Sequence, residues 1–295
     1  MAVRIAFLNF KGGVGKTAAA VNLAAILAKY HQKRVLLVDL DAQANSSLWL
    51  LRPDFWADHT TNGIRSTYQI FQDHIAGTKF FDFDDAVIKG VPRANFPLIA
   101  SLDLLPAVTE LIDVEDRIYE NKYVPFFRSV YSSLKPYFRN YDYIFFDCPP
   151  NIYAVTKSAL FASQYCVVPY LPDYLSLSGL RTMSKLVRRF FEQVRGELPE
   201  KHIPSIAALI MSHMRQGNAF AQAVNELKFQ VSKLKQDGLV HPAIELLSPE
   251  IRHSVDVADS TNYHLPVILH RPNSIGAIDY ANLGENFVVH FERNL

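Results

Sequence analysis

Cysteine is scarce in this chain: only Cys148 and Cys166 occur among 295 residues, both in apolar, strand-like runs. That excludes a disulfide framework and predicts two reduced core thiols in a cytosolic protein. An excess of charge of either sign is missing too. Thirty Lys and Arg stand against 29 Asp and Glu, for a formal net charge of +1. No global field draws such a chain to nucleic acid, so any such binding needs a local patch. No run of eighteen apolar residues is present, which argues against a membrane-spanning helix. The start, Met1-Ala-Val-Arg-Ile-Ala6, lacks the basic segment and long apolar stretch of a secretory signal. Internal repeats, low-complexity tracts and obvious linkers are also absent. What is present is a composition of 49% hydrophobic and 20% charged residues, that of a well-cored soluble protein.

Apolar runs recur at α/β spacing. Strands are predicted over Val3–Leu8, Arg34–Leu40, Leu98–Leu105, Tyr143–Asp147, Tyr165–Tyr170, Ile206–Met211, Pro242–Leu247 and Pro266–Leu269. The clearest helices are Ala18–Tyr30, Leu177–Val194, Ala219–Gln236 and Gly276–His290. Several strands lack polar alternation, as parallel strands covered on both faces do. The expectation is an α/β fold: a mostly parallel twisted sheet with helices on both faces, of the P-loop NTPase type. Residues 1–295 are expected to form one P-loop ATPase domain. Around 53–97 the pattern predicts a partly irregular insert beside the sheet.

The most informative segment is Phe7-Leu-Asn-Phe-Lys-Gly-Gly-Val-Gly-Lys-Thr17. It joins the first predicted strand to the first predicted helix. Gly12, Gly13 and Gly15 let the backbone turn tightly and point N–H groups at an anion. Lys16 is placed to reach the β- and γ-phosphates of a nucleotide, and the Thr17 hydroxyl to hold Mg²⁺. A full Walker A pattern wants its first glycine where Phe10 stands. Lys11, Val14 and Ala18 complete the loop and its helical exit.

Two further strand ends carry carboxylates. Val38-Asp-Leu-Asp-Ala-Gln-Ala-Asn-Ser46 places Asp39 and Asp41 two residues apart at the mouth of the sheet. Ligands of open α/β sheets bind there. Asp41 suits the orientation of a water for attack on a γ-phosphate, and Asp39 the tuning of the Mg²⁺ shell. The plainer reading is that both aspartates cap the next turn. Tyr141-Asp-Tyr-Ile-Phe-Phe-Asp-Cys-Pro-Pro150 runs an apolar strand into Asp147, the Walker B arrangement for a Mg²⁺ ligand. Pro149 and Pro150 end strand pairing and stiffen a segment suited to sensing the γ-phosphate. Cys148 has no evident activating base and reads as a packed thiol.

These segments together resemble the ParA/MinD group of deviant Walker A ATPases, nearest to the ParA (Soj-like) partition proteins. Lys11-Gly-Gly-Val-Gly-Lys-Thr17 matches the deviant loop, with the early lysine as its signature. Asp39–Asn45 resembles the usual D-x-D-P-Q-G-N segment, with Ala42 and Ala44 replacing proline and glycine. Tyr141–Pro150 matches the Walker B strand and switch. Val168–Leu180 and Ile251–Asp259 resemble the segment after the fifth strand and a late Arg-x-Ser helix start.

The resemblance implies an ATP-dependent homodimer that sandwiches two ATP–Mg²⁺. Lys11 would cross to the partner's nucleotide, while Lys16 and Thr17 act in the same subunit, Asp41 activates water, and Thr17, Asp41 and Asp147 form the metal site. It implies weak ATPase activity stimulated by DNA and by a ParB-like or other adaptor protein. Non-specific binding of duplex DNA would carry a plasmid, chromosomal origin or protein complex over the nucleoid, in the cytoplasm. Met211 and Pro249 lie where the resemblance puts the adenine pocket, although both also read as ordinary packing. For DNA, Arg215 and Arg252 are the first candidates, then Lys228, Lys233 and Arg271, each also readable as a solvated or ion-paired residue. No long helix-turn-helix extension precedes Val3, which argues against the larger plasmid type that also represses its own operon; no basic amphipathic tail follows the last helix, which argues against a MinD-like membrane binder. Three less favoured functions share the motifs: a positioning ATPase working through protein partners, a metabolic reductase of the same fold and a nucleotide-dependent scaffold.

Overall fold

The computed structural model describes residues 2–93, 98–120, 125–171, 174–198, 203–212, 214 and 218–294. Seven strands form one sheet: β1 (Val3–Phe7), β2 (Val35–Asp39), β3 (Leu102–Leu105), β4 (Tyr143–Asp147), β5 (Tyr165–Tyr170), β6 (Ser205–Met211) and β7 (Glu245–Leu247). Their order is β3-β2-β4-β1-β5-β6-β7, and every pairing is parallel. All five residues of β2 and of β4 are buried, because helices cover both faces.

Side-chain alternation along each strand divides the core in two. Ile5, Phe7, Leu37 and Phe145 face the helices Lys16–Tyr30 and Ile275–Val289. Ala6, Val38, Ile144 and Phe146 face the helices Ala154–Ala162, Tyr174–Gln193 and Asn218–Gln236. The Lys16–Tyr30 helix is buried almost all round, and its alanines let neighbours approach. Gly284 marks one such approach, since a Cβ there would overlap Ile26. Each fully buried Leu, Ile or Phe of these layers contributes about 1.5–3 kcal/mol.

Register positions the functional ends. Phe7 of β1 and Asp39 of β2 both pair with Asp147 of β4. The three central strands therefore finish at one level, and the segments that follow them meet.

Three expectations change, and in one of them Pro242–Leu247 shortens to Glu245–Leu247. Pro266–Leu269 is not a strand: Val267–His270 is a short helix, with Pro266 at its N-cap. Pro266 sits at φ −61°, and the Val267 N–H donates to the buried Asn22 Oδ1 at 2.8 Å, so the run has no strand to pair with. The third predicted strand shortens from Leu98–Leu105 to Leu102–Leu105. Within the insert, Pro53–His59, Thr67–Ala76 and Phe83–Ala86 are helical. Asp82 caps the last of these by accepting from the Asp84 and Asp85 N–H groups. Ile70, Phe71 and Phe83 bury into the sheet's core, which anchors the insert.

Candidate nucleotide site

The loop after β1 is held at both ends. Asn9 Nδ2 donates to the Pro169 carbonyl at 2.8 Å, and Asn9 Oδ1 accepts from the Lys11 N–H at 2.9 Å. Val14 is buried, and its carbonyl accepts from the Ser212 hydroxyl at 2.7 Å. Gly13 and Gly15 adopt φ of +72° and +83°, the left-handed region that a glycine enters without steric cost. The helix starts at Lys16 with no acidic residue in its first turn, so its positive end is open to an external anion.

A cavity of about 350 Å³ lies against this loop. Gly12, Gly13 and the residues Gly15 to Ala18 form one wall, and Asp41, Gln43, Asn45 and Pro150 the other. A larger cavity of about 470 Å³ between the Thr67–Ala76 helix and Ser132–Tyr137 has no phosphate loop. Lys11 lines neither; it borders a third, more apolar cavity with Phe10, Tyr170, Leu180 and Met183.

Three carboxylates stand at the ends of β2 and β4, and each has a different environment. Asp147 is buried; its Oδ2 accepts from the Ser46 hydroxyl at 2.7 Å, while its Oδ1 has no hydrogen-bond partner among the described residues. Burial raises the Asp147 pKa, and the nearby hydroxyls of Ser46 and Thr17 pull it back. Asp39 is fully buried and accepts from the Ser47 N–H at 2.8 Å, the Ser47 hydroxyl at 2.7 Å and the Asp41 N–H at 3.1 Å. Burial first, then the charge of Asp147, holds the Asp39 carboxyl well above its ordinary range. Asp39 thus shapes the turn, as the capping reading expects. Asp41 Oδ1 accepts from the Gln43 N–H at 3.0 Å, and Asp41 lines the cavity. Lys16 is buried among these groups. Burial lowers its pKa, and the charges of Asp147 and Asp41 oppose that shift.

This donor set fits Mg²⁺. It offers hard oxygens, including a buried carboxylate oxygen without a partner, beside a loop built for phosphate. A divalent cation would also relieve the crowding of buried carboxylates.

The remaining candidates are scattered. Met211 is fully buried in β6, packs in the core and does not line the cavity. Pro249 follows β7 and is half-buried. Arg215 lies outside the described residues. Lys228 and Lys233 are exposed on the Asn218–Gln236 helix. Arg252 grips the buried Asp279, with Nη2 2.6 Å from Oδ1 and the backbone N–H 2.9 Å from Oδ2, so the ion-paired reading describes its geometry. Arg271 is exposed, 3.8 Å from Asp256. Cys148 and Cys166 are unpaired thiols, fully buried, and burial pushes both well up. At that depth Cys148 cannot serve a cluster shared between two copies.

Asn9, Ser46, Ser47 and Ser212, which hold the loop and the carboxylates, do not stand out in the sequence. Ser46 and Ser47 directly follow the Asp39–Asn45 segment, and that adjacency is the one signal that points to them.

A family model described as an AAA domain matches residues 2–199. A Chlamydia pneumoniae ParA family protein is 28% identical over 293 residues, covering 97% of each chain. The sporulation initiation inhibitor protein Soj of Bacillus subtilis is 30% identical over 289 residues, covering 95% of this chain and 96% of that one. The chain belongs to the ParA/Soj family of partition ATPases. Among solved structures, a Borrelia burgdorferi plasmid partition protein bound to AMPPNP superimposes with a TM-score of 0.70. It is 22% identical and covers 98% of this chain and 99% of its own, which speaks to the fold alone. For this ParA/Soj-type chain the family agrees with the loop and strand-end geometry on a nucleoside-triphosphatase fold. Among the described residues, no helix is long and apolar enough to cross a membrane.

Proposed function

We propose that the chain is an ATP-switched partition ATPase. It binds ATP–Mg²⁺, dimerises, holds duplex DNA without reading bases, and releases it when an adaptor protein and DNA stimulate hydrolysis. The observation that carries this reading is that Lys16, Thr17 and Asp41 line one cavity, with the buried Asp147 carboxyl close enough to interact with all three.

The roles follow from placement. Backbone N–H groups of Gly12 to Ala18 and the Lys16 ammonium would hold the phosphates. Thr17 and Asp147 would hold Mg²⁺, which when bound would neutralise charge on the β- and γ-phosphate oxygens. Asp41, on the opposite wall, would orient the attacking water. Lys11 sits outside its own subunit's cavity, which supports a role at a partner's nucleotide. A lysine there would offset repulsion between two nucleotide-bearing faces.

The DNA surface is best supported on two adjacent helices. Lys185 and Arg189 on Tyr174–Gln193 and Lys228, Lys233 and Lys235 on Asn218–Gln236 are all solvent-accessible. Such charges contact phosphates and leave sequence unread.

Asp41→Ala tests the chemistry. It should bind ATP–Mg²⁺ near the wild-type affinity yet lose hydrolysis by about 100-fold or more, roughly 2.7 kcal/mol of transition-state stabilisation. Equilibrium binding and single-turnover hydrolysis measure the two separately. Wild-type turnover in this variant would remove Asp41 from the mechanism.

A further inference from the structure

Ser46 is buried to zero exposure, one residue into a short helix, Asn45–Leu50, that begins beside the phosphate cavity. Its hydroxyl has one proton to donate, and that proton points at Asp147 Oδ2 over 2.7 Å. The length is that of a well-formed O–H···O bond. With Oδ2 engaged, the oxygen left without a partner among the described residues is Oδ1. The hydroxyl therefore decides which face of the carboxylate is offered to a ligand.

The backbone holds Ser46 to this task. Ser47, next in the chain, donates to Asp39 Oδ2 from both its N–H and its hydroxyl. The Ser47 hydroxyl in turn accepts from the Ala107 N–H at 3.0 Å. Just before Ser46, Gln43 and Asn45 line the cavity wall with Asp41.

We propose that Ser46 is a positioning residue for the Mg²⁺-binding carboxylate. It orients Asp147 so that Oδ1 is the oxygen open to a bound metal. The proposal rests on the ATP–Mg²⁺ reading above. Partners that orient a ligating group change metal affinity by about 10–100-fold when removed.

The test uses the full chain and a fluorescent ATP analogue, titrated in Mg²⁺ and in EDTA. Wild type should bind more tightly with Mg²⁺. In Ser46→Ala that gain should shrink about tenfold and the half-saturating Mg²⁺ rise about tenfold, while affinity in EDTA stays unchanged. Ser46→Cys keeps the side-chain shape, with a slightly larger atom, but weakens the donor, and should fall between the two. It carries the test alone if the alanine variant does not fold. Melting temperatures run beside each titration. If the variants melt lower yet keep the wild-type Mg²⁺ gain, Ser46 is only structural and the proposal is overturned. If wild type itself gains nothing from Mg²⁺, the ATP–Mg²⁺ reading falls and this proposal with it.

Discussion

Ala44 holds a left-handed conformation, φ +51°, at the N-cap of the helix that carries Ser46 and Ser47. This is the position where the motif it resembles has glycine, and the backbone shows why: the turn between Asp41 and the helix needs a positive φ. A Cβ in that region is strained by about 1–2 kcal/mol. Ala44→Gly should relieve it and stabilise the chain by up to about 1 kcal/mol, net of glycine's greater freedom when unfolded. Urea denaturation reads the change, and a loss of stability would show that the alanine is not strained. The residues legible in the sequence were those whose chemistry comes from local spacing: Lys16 and Thr17 after the glycines, and Asp147 at the end of an apolar strand. Asp39 was legible as a carboxylate at a strand end, but its use was not. Three hydrogen bonds make it the organiser of the Asp41 turn. The serines were illegible for a different reason. Ser46 meets Asp147 across 101 positions and Ser212 meets Val14 across 198, so no local pattern announces either pair.

At the scale of elements, the segment after β4 is tied to a helix across the site. Glu115, on the Leu111–Glu120 helix, accepts from the Ala154 N–H at 2.9 Å and the Val155 N–H at 3.1 Å. It thereby satisfies the first turn of the Ala154–Ala162 helix, which follows Pro149 and Pro150. Burial raises the Glu115 pKa above its ordinary 4.5, and the two N–H groups only partly oppose this. A carboxyl raised on folding favours the folded state while protonated. Its stabilisation is full below the unfolded value near 4.5 and is lost as pH rises through the higher folded value. Urea titrations from about pH 4 to about pH 7 should show this falling component in wild type and not in Glu115→Gln. Equal pH profiles would show that Glu115 is not linked to folding. Strands were legible where an apolar run was long enough to fix its register: β4 and β5 match their predicted bounds residue for residue. Pro266–Leu269 misled because four apolar residues carry no period, and a buried Asn22 side chain decided their fate from elsewhere in the chain.

Over the whole molecule, the order β3-β2-β4-β1-β5-β6-β7 places β1 at the centre, with Asp147 next to it and the Asp39–Asp41 segment one strand further. One register thus assembles the glycine-rich loop, Asp147 and the Asp39–Asp41 segment at one edge. The parallel architecture was readable from unalternating apolar strands, but the strand order was not, since it depends on pairing between segments far apart in the chain. The near-neutral charge of +1 makes binding to DNA a question of geometry: accessible lysines and arginines on two adjacent helices, doubled when two copies associate. Lys11 should govern that association, so adding Lys11→Ala to an Asp41→Ala background should abolish the ATP-dependent dimer in sedimentation while leaving the monomer folded. Replacing Lys228 and Lys233 by alanine should weaken all duplex sequences alike and flatten the salt dependence by roughly one counterion for each phosphate-binding charge removed. The central claim is that nucleotide state controls DNA binding, and its most direct test is the affinity of Asp41→Ala for random duplex DNA with ATP–Mg²⁺, with ADP–Mg²⁺ and without nucleotide, across a range of salt. Tight, steeply salt-dependent binding with ATP alone is the predicted result; equal binding in all three states, or none in any at low salt, would contradict it.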